Sequence, residues 1–167
     1  MQDAIARGER VLLHAVDVSK TGLLAPRLAL LHELRRTHGS KFDLVIDACQ
    51  TRLSPASIAR YVALDAVVLI TGSKFFTGPP FSGAALIPAS IACRLADREI
   101  PTGLRDYFAQ DNFSSNCRAA RKLPRGNIGL ALRWHAALAE MQAFFDVPVN
   151  PSFRIRLKKP SAFVIKQ

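Results

Sequence analysis

Three short apolar runs set the terms for any fold of this chain: RVLLHAV over residues 10–16, FDLVIDA over 42–48 and DAVVLI over 65–70. Each has the length and β-branched content of a buried strand. The intervening segments read as helices. Over residues 22–38, Leu23, Leu24, Leu28, Leu31 and Leu34 fall close to helical spacing. Arg35, Arg36 and His38 crowd the last turn, and Gly39 offers a left-handed end. Ser54-Pro55 then supplies a capping hydroxyl and a proline suited to the first helical position, for a helix running to about Ala63. Strand, helix, strand, helix, strand calls for parallel pairing, because such crossovers return the chain to the same end of the sheet. The expected class is α/β, with a mostly parallel sheet between helical layers.

The rest of the chain is less regular. Residues 82–87 read as a fourth short strand and 88–98 as a helix. Residues 101–125 are polar and irregular, a length of loop that is functional or mobile. Residues 127–145 form a strongly apolar helical segment through Ile128, Leu130, Leu132, Trp134, Leu138, Met141 and Phe145, with Trp134 expected in the core. The tail is proline-rich and contains FRIRL, which alternates like an edge strand.

With 49% apolar and 22% charged residues, the composition is that of a globular protein. No apolar run is long enough to cross a bilayer, and the N-terminus has no signal-peptide core, so the expected compartment is the cytoplasm. Cys49, Cys93 and Cys117 have no CxxC spacing and read as reduced thiols. His14, His32, His38 and His135 lack metal-binding spacing. The net charge of +10 raises nucleic acid as a partner. The basic residues are dispersed, however, and no nucleic-acid motif accompanies them. Even the densest group, Arg118, Arg121, Lys122 and Arg125, lies in an expected loop.

Ligands of open α/β sheets gather at the carboxyl ends of the strands. Asp17, Asp47 and the segment Thr71–Lys74 all fall there. Lys74 ends an apolar strand and precedes the stiff sequence FFTGPP, a setting that a surface lysine does not need. A carboxylate and a lysine at neighbouring strand ends can be a plain ion pair. Lys20, in DVSKTG, also follows a strand, but it lacks the upstream glycine of a phosphate loop and reads as a surface or supporting residue.

The segments DLVIDACQ and TGSKFFTGPP resemble those of fold-type I pyridoxal phosphate (PLP) enzymes, in the class V aminotransferase and cysteine desulfurase group. Asp47, Gln50, Thr71, Lys74, Phe75 and Gly78-Pro79 carry the resemblance, which covers roughly residues 10–146. It implies a three-layer sheet of the PLP-binding large domain, incomplete over residues 1–148, and the start of a truncated small C-terminal domain over 149–167. It also implies roles. Asp47 would face the pyridine nitrogen and keep it protonated, as the electron-sink chemistry requires. Gln50 would bond the ring's phenolic oxygen, and Thr71 would donate to the phosphate. Lys74 would form the Schiff base and act as general base, with the strand end and the pyridinium disfavouring its charged form.

Two positions depart from the group's pattern. Ser73 stands where a histidine is usual before the lysine, and no asparagine occupies the region of Val16 and Asp17. Cys117 does not match the desulfurase nucleophile, and Cys49 reads as a small filler. Arg154 and Arg156 are not assignable as anchors for a substrate carboxylate. The resemblance further implies an amino-acid substrate, a homodimer in the full-length family, and a phosphate-binding turn and ring-stacking residue outside this chain. Three readings stay open: an aminotransferase-like enzyme, a remnant that keeps the fold without the cofactor, and a basic α/β module that binds nucleotide or nucleic acid.

Overall fold

The computed structural model describes residues 1–147. The notional C-terminal domain, with Arg154, Arg156 and the FRIRL segment, lies outside the described residues.

A mixed four-stranded sheet forms the frame: β1 (Val11–Val16), β2 (Phe42–Asp47), β3 (Ala66–Thr71) and β4 (Gly83–Leu86), in that spatial order. The first three strands run parallel, with Val16 opposite Asp47 and Asp47 opposite Leu69. β4 returns antiparallel, pairing Gly83 with Thr71. The helices are α1 (Gln2–Ala6), α2 (Leu28–His38), α3 (Pro55–Ala63), α4 (Ala89–Leu95), α5 (Thr102–Arg105) and α6 (Ile128–Asp146). None of the described helices is long and apolar enough to cross a membrane.

Strand periodicity sorts the side chains. Ala15, Phe42, Leu44, Ile46, Ala66 and Val68 point to one face and are buried with Leu31 of α2 and Tyr61 of α3. Burying Phe42, Leu44, Ile46, Val68 and Leu31 is worth about 1.5–3 kcal/mol each, which makes this face the main source of stability. Arg35 seals its lower end: its guanidinium donates to the carbonyls of Leu64, Gly39 and Phe42 and lies 4.3 Å above the Phe42 ring.

The opposite face carries Leu12, His14, Val45, Asp47, Val67 and Leu69. Leu12 is 67% exposed and His14 is exposed. Among the described residues, therefore, the expected three layers are not all seen: α2 and α3 cover one face, and β1 is buried on one side only. A mostly parallel sheet is ordinarily covered on both.

The helix expected from Gly22 begins only at Leu28. Pro26 explains the delay, since it lacks an N–H and disfavours helical geometry at Ala25. Residues 19–23 instead form a tight turn: the Leu23 N–H donates to the Ser19 hydroxyl, and the Ser19 N–H donates to the Leu23 carbonyl. Ser54 caps α3 by accepting from the Ser57 N–H, with Pro55 first in the helix, as the sequence predicts.

The apolar helix α6 is not a core helix among the described residues. Ile128 and Leu132 are 73% and 65% exposed, and Ala137 is its one buried residue. Trp134, expected in the core, is half-buried and donates through its indole N–H to the Gly83 carbonyl at 3.1 Å. α6 packs on the loop after β3 and reaches the sheet at Gly83, the first residue of β4; at the loop a small side chain allows the closest approach. A Cβ on Gly72 or Gly78 would collide with Ala137.

Candidate functional site

Each of the three parallel strands ends in a turn that carries a basic side chain. After β1 comes Lys20, on the Ser19–Leu23 turn. After β2 come Gln50 and Arg52. After β3 come Lys74 and Phe75. These five residues line one open cleft of about 520 Å³ at the carboxyl end of the sheet. That volume suits a small organic ligand.

Hydrogen bonds lock the turns to one another. The Asp17 N–H donates to the Asp47 carbonyl and the Ala48 N–H to the Leu69 carbonyl, extending the ladder past the strands. The Thr51 N–H closes a tight turn onto the Ala48 carbonyl at 2.7 Å, so Cys49 and Gln50 stand at its corner. Thr51 then donates its hydroxyl to the Thr71 carbonyl at 2.7 Å and accepts from the Thr71 N–H at 3.1 Å.

Beyond Thr71 the chain is equally constrained. The Gly72 N–H bonds the Ser82 carbonyl, and the Gly78 N–H bonds the Gly72 carbonyl. Phe75 and Phe76 stack edge-on against Phe144, with centroids 5.3 and 5.5 Å away. The stiff FFTGPP sequence thus serves to pin the backbone that carries Lys74.

Asp47 stands on the open face of the sheet, half-buried, beside the cleft rather than in its wall. The Cys49 thiol and the Cys49 N–H donate to its carboxylate, the latter at 3.0 Å. With the positive charges of Lys74 and His14, these bonds hold its carboxyl below the ordinary value, against the upward push of burial. The effect on Cys49 is reciprocal. Burial first, and then the Asp47 carboxylate, raise its thiol to about 11. Cys49 is therefore more than a filler: it bonds the acid that the sequence singles out.

Asp17, the other acid at a strand end, turns to the opposite face. It is 6% exposed and meets Tyr61 of α3. Burial raises its pKa, with the Tyr61 hydrogen bond opposing. It does not belong to the cleft.

Lys74 projects into the cleft and is exposed, so its surroundings are wetter than the end of an apolar strand leads one to expect. Thr71 is only 7% exposed, and its hydroxyl donates to the Ser82 carbonyl at 3.0 Å while accepting from the Ser73 N–H. Ser73 adds its own hydroxyl at 2.8 Å. The hydrogen that the sequence reading assigns to a phosphate is thus engaged inside the protein.

Of the four expected residues, Gln50 and Lys74 line the cleft, Asp47 adjoins it through charge, and Thr71 supports it from behind. Sequence reasoning missed Arg52 and set Lys20 aside. Arg52 extends over the Phe75 ring, 5.0 Å from its centroid. The available signal was positional: both residues follow a strand end within a few residues. Comparison of the chain with protein-family models, with curated proteins and with solved structures finds no match.

Proposed function

We propose that this chain is a PLP-dependent, class V aminotransferase-like protein acting on a small amino-acid substrate. The observation that carries the reading is the convergence of Asp47, Gln50 and Lys74 at adjoining strand ends, with Asp47 held ionised by Cys49 and Lys74. The donor set fits the cofactor: an ionised acid, a side-chain amide and an amine, surrounded by cations, complement an anionic heteroaromatic aldehyde. Thr71 does not fit its assigned part, because its hydrogen is committed to Ser82.

When bound, the cofactor supplies an electron sink for the pair released at the substrate's α-carbon. Asp47, kept anionic, would accept a hydrogen bond from the protonated ring nitrogen. Gln50 would donate its amide to the ring oxygen. The Lys74 amine would attach the cofactor and, once released, take and return the α-proton. The hydrogen bonds around Thr51 and Thr71 keep acid and amine in fixed register, as positioning demands. A second copy of the chain belongs to this reading, since the group it resembles works as a homodimer.

Incubation with PLP, borohydride reduction and peptide mapping test the proposal. Stoichiometric labelling at Lys74, lost in Asp47→Ala, is the expected result. Diffuse labelling of many lysines would overturn it in favour of a fold that has lost its cofactor.

A further inference from the structure

We infer that the cleft is a phosphate-monoester site in which Arg52 and Lys20, rather than Thr71, hold the dianion. The inference deepens the PLP reading and rests on it for the identity of the ligand. The anion chemistry stands on the cleft alone.

Three observations converge. Three cations, Lys20, Arg52 and Lys74, project into one cleft whose lining contains no carboxylate. None of the three cleft cations binds a carboxylate directly among the described residues. Asp47 answers the charge of Lys74 through space, which leaves two positive charges facing open solvent. That surplus matches a phosphate monoester, which carries about −1.5 to −2 at neutral pH.

The geometry favours Arg52 as the principal anchor. A guanidinium resting on an aromatic face is oriented in advance, and its N–H edges remain free for two parallel bonds to phosphate oxygens. Lys20 stands on a turn closed by Ser19 and Gly22, where Gly22 takes a φ of 83°, so its backbone does not need ordering on binding. Thr71 cannot compete, because its O–H already serves the Ser82 carbonyl. Its place is to hold the loop behind the anion.

The test compares the full chain with Arg52→Ala, Arg52→Lys and Lys20→Ala. Each is titrated calorimetrically with PLP, with pyridoxal and with phenyl phosphate, and the aldehyde samples are reduced and mapped. Arg52→Ala is expected to weaken both phosphate ligands roughly tenfold or more, with Lys20→Ala several-fold weaker, while pyridoxal is unaffected. Arg52→Lys recovers little of the loss, since an ammonium cannot make the paired bonds.

Phosphate affinities unchanged in Arg52→Ala and Lys20→Ala would overturn the inference, as would a wild-type chain that binds neither phosphate ligand. The two readings separate cleanly. Selective Lys74 labelling with unaltered variants leaves the PLP proposal standing and removes this one. Phenyl phosphate binding that depends on Arg52, without selective labelling, does the reverse. Arg52 makes no hydrogen bond within the described fold, and Lys20→Ala decides the matter if circular dichroism shows Arg52→Ala to be unfolded.

Discussion

Thr51 and Thr71 hold each other in both directions: the Thr51 hydroxyl donates to the Thr71 carbonyl at 2.7 Å and accepts from the Thr71 N–H at 3.1 Å. One side chain thereby satisfies both backbone groups of Thr71 on the β2 side, past the last β2–β3 pair at Asp47 and Leu69. It also ties the turn bearing Gln50 and Arg52 to the loop bearing Lys74. The relative placement of the candidate acid, amide, guanidinium and amine depends on this staple.

Thr51→Val keeps the shape and removes the hydroxyl, leaving the Thr71 N–H and carbonyl without their partner. The expected loss is about 1–3 kcal/mol of unfolding free energy, read from urea denaturation. Thr51→Ser keeps the hydroxyl and should lose markedly less. A Thr51→Val variant as stable as the parent, with the loss confined to Thr51→Ser, would show that the methyl group, and not the hydrogen-bond pair, is what matters.

The Cys49 thiol, raised to about 11 by burial and by Asp47, predicts selective reactivity among the cysteines. The thiolate is the nucleophile, so Cys49 should react far more slowly with iodoacetamide near pH 8 than the exposed Cys93. Asp47→Asn removes the neighbouring negative charge and should speed the reaction. Stability follows the same linkage. The folded state keeps the proton that the unfolded chain releases near 9, so stability falls as pH rises from about 9 towards 11. Mass spectrometry of alkylated peptides over a pH series checks the first point. Cys49 alkylated as fast as Cys93 would contradict it.

Asp43 governs the acid limb. Hydrogen bonds from Arg10, at 2.6 and 2.8 Å, and from Arg94, at 2.7 Å, lower its carboxyl from an ordinary 3.8 to about 2. A depressed folded value means that the contribution is complete above about pH 4 and disappears as pH falls through about 2. Asp43→Asn should therefore lose stability at neutral pH and show a flatter decline between pH 4 and 2 than the parent. Parallel acid limbs for the two proteins would remove Asp43 from the account. Both arginines are well exposed, so added salt should narrow the difference.

The frame was legible in the sequence where local pattern and burial agree. β2 and α3 lie close to their expected bounds, because alternation is buried on at least one face and Ser54-Pro55 marks the helix start. Disagreement arises where a local signal meets a tertiary one. The leucines from 23 to 34 have helical spacing, but Pro26 cannot continue a helix, and Leu23 is left 67% exposed. The apolar content of α6 suggests core, yet Gly72, Gly78 and Ala137 make its contact a narrow one directed at a loop. At the site, Asp47, Gln50 and Lys74 stand out through motif spacing. Arg52 and Lys20 do not, because an exposed cation leaves no periodic trace; only the topology shows that three strand ends bring them to one cleft.

Gly78 marks where α6 meets the Lys74 loop. An alanine there would place its Cβ 2.8 Å from Ala137 Cβ and 2.8 Å from the Gly72 carbonyl oxygen, inside any real contact distance. The neighbours are backbone and a short side chain, so neither can swing aside, and the loop or the helix must move. Gly78→Ala should cost about 1–3 kcal/mol of stability and loosen the Phe75–Phe144 contact, which protease cleavage within residues 72–78 would report. Gly103→Ala is the matched control, since nothing lies within 4 Å of its Cβ and it sits in α5; there the substitution should be neutral or mildly stabilising. If Gly78→Ala behaves like Gly103→Ala, α6 does not clamp the loop. The fixed position of Lys74 would then rest on the Thr51–Thr71 and Ser82 hydrogen bonds alone.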